Sequence, residues 1–319
     1  MLRKALSHLK VDLSYAKSRA YARLGRYENQ IGTKLLFWPC AWGVALGAPF
    51  PFSVATAATV GLFFYGSFNL RSAGCGVNDL LDKDFDGKVE RTKIRPLANG
   101  DLTTTEAKKF IGFHLLGGLS TLAFMKGVAI KQSLAIFPLA MAYPLAKRYT
   151  NYAQVVLGAC FNSGVFIGFA QASGVGLFTP ILPFYMAGIA WTVIYDTIYA
   201  LQDVKDDETL KLKGLAVHWK RKTKLYCKRL NLFMMASLLY GGYVFDLNAL
   251  YHIGVVINSI VYASWIHDVK YHDTNTAREF FLSNSKIGMA VFLLILLGRL
   301  RWQSTATSSD VGIESKYKK

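Results

Sequence analysis

The sequence predicts an all-α fold: a multi-pass membrane bundle of about nine transmembrane helices around a central cavity open to the matrix or cytoplasmic side. Three observations predict it. The 319 residues are 52% hydrophobic, with a mean hydropathy of +0.26 and only 18% charged residues, too apolar for an ordinary soluble enzyme of this length. Apolar runs of spanning or near-spanning length recur along most of the chain. The Lys and Arg gather in alternate connecting segments.

Taken in order, residues 1–26 carry Arg3, Lys4, Lys10, Lys17, Arg19, Arg23 and Arg26 against one acid, Asp12, among scattered Ser, Leu and Ala. That composition predicts a basic N-terminal segment of mitochondrial-targeting character. A membrane domain is expected over 27–300 and a polar tail over 301–319. Apolar runs at 33–49, 51–71, 109–130, 133–147, 153–173, 177–201, 229–246, 248–267 and 283–299 mark the helices. Pro39, Pro49, Pro51 and Pro144 interrupt some of them, which suits helices packed in a bundle rather than isolated spans. Gly43, Gly47, Gly117, Gly118, Gly241 and Gly242 are expected where helices approach closely. Segments 1–32, 72–108, 148–152, 202–228 and 268–282 fall on one side and hold or border nearly all the Lys and Arg. The positive-inside rule turns that side to the cytoplasm or matrix.

The formal net charge of +17 is therefore a topology signal. No base-stacking or zinc-finger pattern accompanies it, so no nucleic-acid partner is expected. Cys40, Cys75, Cys160 and Cys227 form no CxxC pair, which argues against a disulfide framework or a zinc site, and Cys75 reads as a packing residue. His267-Asp268-x-x-x-His272-Asp273 reads as a solvated or lid-forming loop, because no further ligand completes a zinc set. His114 and His252 are lone residues on apolar helices, each expected to pack with one hydrogen bond.

Two acidic stretches stand out from this background. Asn78, Asp82 and Asp86 recur every four residues, with Asp79 beside them, and a helix would line them on one stripe. Asp196, Asp203 and Asp207 repeat the pattern at steps of seven and four. Both stretches end apolar helices on the basic side. Two carboxylate faces meeting across a gap repel and are costly to desolvate unless cations lie between them. Mg²⁺ prefers oxygen ligands, often one or two carboxylates plus substrate phosphates. Lys88, Arg91, Lys93 and Arg95 follow the first stretch, and Lys147 and Arg148 end another helix on the same side, all able to hold phosphate oxygens. Thr103 and Glu106 have capping-box spacing and should start the next helix. The chemistry predicts a Mg²⁺-dependent membrane enzyme acting on a lipid diphosphate. An ion-coupled transporter is the rival reading. Against it stand the placement of the acids at helix ends on one side and the lack of paired broken midplane helices.

Asn78-Asp79-x-x-Asp82-x-x-x-Asp86 with Arg91-Thr92-x-x-Arg95-Pro96-Leu97 resembles the first signature of the UbiA family of intramembrane aromatic prenyltransferases. Asp196-x-x-Tyr199-Ala200-x-x-Asp203-x-x-x-Asp207 is similar to the second. Ile31-Gly32-x-x-Leu35-Leu36-Phe37-Trp38-Pro39, Tyr143-Pro144-x-x-Lys147-Arg148 and Phe280-Phe281-Leu282-x-Asn284 extend the likeness over about residues 23–298. Within the family, the run to Trp38-Pro39 and the Gly74-Cys75 lead-in look most like the members that act on 4-hydroxybenzoate in ubiquinone synthesis. Two departures occur: Arg26-Tyr27-Glu28-Asn29-Gln30 replaces the usual Arg-Leu-Asp-Lys-Pro, and Ala153-Gln154 replaces Pro-Gln.

The resemblance implies transfer of a polyprenyl group from its diphosphate to the ring carbon ortho to the hydroxyl of 4-hydroxybenzoate. Other acceptors of the family's kind are homogentisate, a naphthoate or haem. It implies a Mg²⁺ site at Asn78, Asp79, Asp82, Asp86, Asp196, Asp203 and Asp207, with Asp82, Asp203 and Tyr199 as catalytic residues. Arg91, Arg95, Lys147 and Arg148 are the expected diphosphate contacts, and Arg26, Asn78 and Tyr143 the expected aromatic-substrate contacts. Tyr199 and Tyr143 could also shield an allylic cation. The implied setting is the lipid bilayer of the mitochondrial inner membrane with the site facing the matrix, or a bacterial inner membrane. Association with other proteins of ubiquinone synthesis is a further expectation.

Overall fold

The computed structural model describes residues 14–87, 92–176, 178–204, 209, 213–271 and 273–300, with the side chains of 140–145, 147 and 148 outside the description. Every regular element among the described residues is helical. Residues 14–24 form α1. There follow α2 (Ile31–Gly47), α3 (Val54–Leu81), α4 (Lys83–Asp86), α5 (Thr104–Ser120), α6 (Gly127–Tyr149), α7 (Ala153–Asn162) and α8 (Gly164–Ser173). The chain continues with α9 (Leu182–Tyr199), α10 (Leu215–Trp219), α11 (Thr223–Val244), α12 (Ala249–Asp268) and α13 (Thr274–Gly298).

Each expected apolar run falls on helix, and the boundaries differ in instructive ways. α3 continues ten residues past 71, because Ser72, Ala73 and Cys75 pack inward and keep the helix covered. The run 109–130 is split: α5 stops at Ser120, a 3₁₀ turn covers Thr121–Phe124, and α6 starts at Gly127. Run 153–173 is one 21-residue span interrupted at Ser163, whose Oγ donates to the Cys160 carbonyl at 2.7 Å. That local bond competes with the helical ladder where α7 gives way to α8. Among the described residues, Ala153–Ser173, Ala249–Asp268 and Thr274–Gly298 are long and apolar enough to cross a membrane.

α9 is the central post. It packs against α7, α11 and α13, and α2 lies against α8, α3 and α13. α12 turns one stripe inward, Tyr251, Val255, Ser259, Tyr262 and Ile266, at steps of three and four. A β-carbon on Gly43 would sit 2.1 Å from the Val165 carbonyl oxygen, and one on Gly168 2.1 Å from the Cys40 carbonyl oxygen. Only glycine permits that backbone approach of α2 and α8, which in a bilayer is held by packing rather than by expulsion of water. A polar knot joins four helices: Asn284 Oδ1 accepts from Trp191 Nε1 at 3.0 Å and from Tyr262 Oη at 2.6 Å, while Trp42 Nε1 donates to the Gly288 carbonyl at 2.8 Å. Outward, Phe113, Leu116, Leu232, Ile257 and Ile260 are exposed on α5, α11 and α12, the surface a hydrocarbon solvent favours.

Candidate functional site

The first acidic stretch lies where α3 ends. Its stripe is broken: Asp82 leaves helical geometry at φ −94° and ψ 1°, and a separate short helix, α4, carries Asp86. Aspartate competes with the helix for backbone bonds, so a cluster of four acids is a natural stopping point. As a result the acids divide. Asn78 and Asp82 are exposed at the helix end, whereas Asp79 and Asp86 are buried.

The buried pair is compensated by arginine. Arg95 Nη1 donates to both Asp86 oxygens, at 3.0 and 2.8 Å, and lies 3.3 Å from Asp79 Oδ1. Arg26 Nη2 donates to the same Asp79 oxygen at 2.7 Å. Asp79 Oδ2 is buried without a partner. The repulsion expected between neighbouring carboxylates is therefore met here by guanidinium groups.

Both arginines are placed by local structure. Arg26 occupies the position after α1 with φ 57°, a conformation usually left to glycine. Tyr27 N–H donates to the Ala22 carbonyl at 2.8 Å and Arg26 N–H to the Arg23 carbonyl at 3.1 Å, the two bonds of a Schellman end. The left-handed backbone costs about 1 kcal/mol or more, and it aims the side chain at Asp79. Arg95 sits in a loop closed by Thr92 Oγ1 donating to the Asp86 carbonyl at 3.0 Å and anchored by buried Leu97 and Leu102. Those leucines pack with Ala20 and Leu24 of α1 and with Ala107 and Phe110 of α5. Ion pairs Arg23–Asp101 and Lys17–Glu106 rim this small core. Thr103 and Glu106 form the expected capping box. The Lys17 ammonium, with the Thr103 bonds, holds the Glu106 carboxyl down at about 2, and bonds from Asn99 and Arg23 lower that of Asp101.

The second stretch is less regular than its spacing implied. α9 stops at Tyr199, a 3₁₀ turn covers Ala200–Gln202, and Asp203 follows at φ −105°. Asp196 and Asp203 therefore do not share one continuous α-helical face. Tyr199 is half-buried with its ring centroid 4.3 Å from that of Phe281. Asp207 and Arg91 lie outside the described residues, as does His272, and the side chains of Tyr143, Lys147 and Arg148 lie outside the described side chains. Among the described residues, no group of three or more His, Cys, Asp or Glu stands close enough to hold an ion.

Three basic residues escaped the sequence reading. Lys34 and Arg278 line a cleft of about 560 Å³ between the start of α2 and α13, with Glu28, Asn29, Gln30 and Ser285. Arg71, two turns before Asp79 on α3, rests on Gly32: a β-carbon there would meet its Nε at 2.3 Å. An arginine inside an apolar helix is itself a functional signal that could have found it. His114 makes two bonds rather than one, Nε2 with Tyr27 Oη at 2.6 Å and Nδ1 with Asn69 Oδ1 at 2.9 Å. The four cysteines are free, and Cys75 is buried.

The model of the UbiA prenyltransferase family matches residues 36–294. The chain belongs to that family. "4-Hydroxybenzoate polyprenyltransferase, mitochondrial" of Aedes aegypti is 39% identical over 283 residues, covering 88% of this chain. The chain spans 63% of that relative's length. The protein of the same name from Homo sapiens is 34% identical over 306 residues, with 96% of this chain and 82% of the relative covered. Among solved structures, the apo UbiA homolog of Aeropyrum pernix K1 superposes with a TM-score of 0.63 at 24% identity over 83% of this chain and 96% of that one. A UbiA homolog from Archaeoglobus fulgidus, solved bound to GPP and Mg²⁺, gives 0.63 at 16% identity over 86% and 99%. At these identities the superpositions establish the UbiA fold.

The donor set of this UbiA chain suits a hard divalent cation. Asn78 and Asp82 present exposed oxygens, and Asp79 Oδ2 is a buried oxygen without a partner. Mg²⁺ keeps several waters and needs only one or two carboxylates beside substrate phosphates, so a full protein cage is not required.

Proposed function

We propose that this chain is a Mg²⁺-dependent 4-hydroxybenzoate polyprenyltransferase of ubiquinone synthesis. It would move a polyprenyl group from its diphosphate to the ring carbon ortho to the hydroxyl of 4-hydroxybenzoate and release diphosphate. The observation that carries the proposal is the arginine-compensated pair Asp79, near the end of α3, and Asp86, at the end of α4, in a chain 39% identical to a relative of that name. The proposal takes in nine spans, the mitochondrial inner membrane with the site facing the matrix, and association with other ubiquinone-synthesis proteins. It also divides the chain into a basic segment (1–26), a membrane domain (27–300) and a polar tail (301–319). Any targeting role of the basic segment must be reconciled with α1, whose residues Ala20 and Leu24 are buried.

In this reading Asn78, Asp79 through its unpartnered Oδ2, Asp82, Asp196, Asp203 and Asp207 would hold Mg²⁺, with Asp86 behind them on Arg95. The bound ion supplies positive charge against the phosphate oxygens. Arg91, Arg95, Lys147 and Arg148 hold the remaining diphosphate oxygens by charge-assisted hydrogen bonds. The allylic C–O bond breaks with its electron pair leaving on the diphosphate oxygen, and preorganised cations stabilise that charge as it forms. Tyr199, backed by Phe281, and Tyr143 shield the allylic cation. The ring carbon ortho to the hydroxyl then bonds to the allylic carbon, and loss of its proton restores the aromatic ring. Asn78 and Arg26 face the acceptor. Because Arg26 already serves Asp79 and two backbone carbonyls, Arg71 is a second cation for the benzoate carboxylate.

The test incubates the full chain in detergent with Mg²⁺, a polyprenyl diphosphate and a panel of phenols, identifying products by mass. A prenylated 4-hydroxybenzoate that disappears on chelation is expected. Product with homogentisate or a naphthoate alone would reassign the acceptor, and no diphosphate release with any acceptor would remove the enzyme reading.

A further inference from the structure

The outer wall formed by α7, α9 and α11 carries a groove of its own, which runs along α9 up to Val193, one turn before Asp196. Between α7, α9 and α11 lies a cleft of about 250 Å³ lined only by apolar and aromatic side chains, Val155, Met186, Val193, Trp219 and Phe233 among them. Val155, Met186 and Phe233 are exposed, so the groove opens outward rather than into the core. Trp219 closes α10 and packs at a tilt against Tyr226, with ring centroids 5.0 Å apart. The chain then runs Lys220-Arg221-Lys222-Thr223-Lys224, with Lys228 and Arg229 one turn on, and no acid among residues 219–229. Lys220, Arg221 and Lys222 are exposed. Lys224 is turned away, its Nζ donating to the His267 carbonyl at 2.8 Å, and Lys228 Nζ is 3.3 Å from His267 Nδ1. Arg229 lies over the Tyr226 ring at 5.8 Å. Arg221 and Lys222 make no ion pair with a described residue.

Two physical constraints act on such a place. A groove without polar lining cannot order water, and left empty it forfeits the dispersion contacts of its walls. In a bilayer the filling material is hydrocarbon. The cations at its mouth then discriminate among the headgroups to which that hydrocarbon is attached, since basic pockets beside membrane helices favour anionic lipids. Inside-positive charge alone would need no groove and would select no particular lipid.

We propose that this groove seats an acyl chain of one anionic phospholipid, with the lipid phosphate on Arg221 and Lys222 beside Trp219. The proposal rests on the membrane setting given above and not on the prenyl-transfer chemistry. Its lining residues are none of those assigned to Mg²⁺ and diphosphate, although α10 touches the Ala200–Gln202 turn ahead of Asp203.

The full chain is purified in detergent, loaded with an equimolar mixture of phosphatidylglycerol and phosphatidylcholine, washed, and weighed by native mass spectrometry. One retained phosphatidylglycerol per chain is expected, in preference to phosphatidylcholine. Arg221→Gln with Lys222→Gln should weaken its retention about 25-fold, at roughly fivefold per cation. Val155→Trp, at an exposed wall position, should lower retention by filling the groove. Diphosphate release by both variants serves as the folding control. Equal retention of the two lipids, or unchanged retention in both variants, overturns the proposal. Displacement of the lipid by millimolar inorganic phosphate would assign the cations to free phosphate and also overturn it. Lipid retention without prenyl transfer would instead leave this site standing and remove the enzymatic reading.

Discussion

At the residue scale the site combines two kinds of acid. Asp82 is exposed at a helix end, while Asp79 and Asp86 are buried on guanidinium groups. If Asp82 and Asp203 face the metal, Asp82→Asn and Asp203→Asn lower turnover by about 100-fold or more with the thermal unfolding of the purified protein unchanged. Full turnover in either variant would take it out of the metal set. Arg26 offers a cleaner dissection, because backbone and side chain have separate jobs. Arg26→Gly relieves the positive φ and keeps the Schellman end, yet strips Asp79 of a charge-assisted bond worth about 1.5–3 kcal/mol. Turnover should fall about tenfold while α1 stays docked by hydrogen exchange. A KM for hydroxybenzoate that rises no more than the KM for the prenyl donor would confine Arg26 to supporting Asp79. Asp79 itself was legible as an acid of the motif. Its partner was not, because a contact across 53 positions depends on how α1 turns at residue 26, and no local spacing encodes that.

At the element scale, α1 and the loop 92–103 form one unit with the start of α5, held by a small apolar core and two rim ion pairs. Glu106 and Asp101 have folded-state carboxyls below their ordinary values. Such groups contribute stability that is fully present above the unfolded carboxylate range, about 4, and lost as pH falls through the folded value. Docking of α1 should therefore weaken between about pH 4.5 and 2, the lower limit being the Glu106 value. Proteolysis between residues 24 and 31 would rise across that window. Constant cleavage through it would show that Leu24 and Phe110 hold α1 without the ion pairs. The capping box at Thr103 was readable because its partners are three residues apart. The break at Asp82 was not, since a four-residue repeat presumes the continuous helix that the acids themselves interrupt.

At the scale of the whole molecule, the described helices make a bundle whose core runs through α9 and whose outer surface is apolar. If the nine spans proposed above hold, their parity puts residue 99 and residue 126 on opposite sides of the membrane. Asn99→Cys and Lys126→Cys should accept a membrane-impermeant thiol reagent from opposite faces of oriented vesicles. Labelling of both from one face would change the number of spans between them. What the sequence determined by itself is the helical class, the nine apolar runs and the two acidic motifs, because hydropathy and short-range spacing are written along the chain and need no partner to be read. The tertiary structure alone decided that Asp79 and Asp86 are neutralised by Arg26 and Arg95, that Gly43 and Gly168 bring α2 and α8 into backbone contact, and that a basic end of α10 borders an open apolar groove. Those features exist only between segments far apart in sequence, where packing geometry chooses which side chains meet.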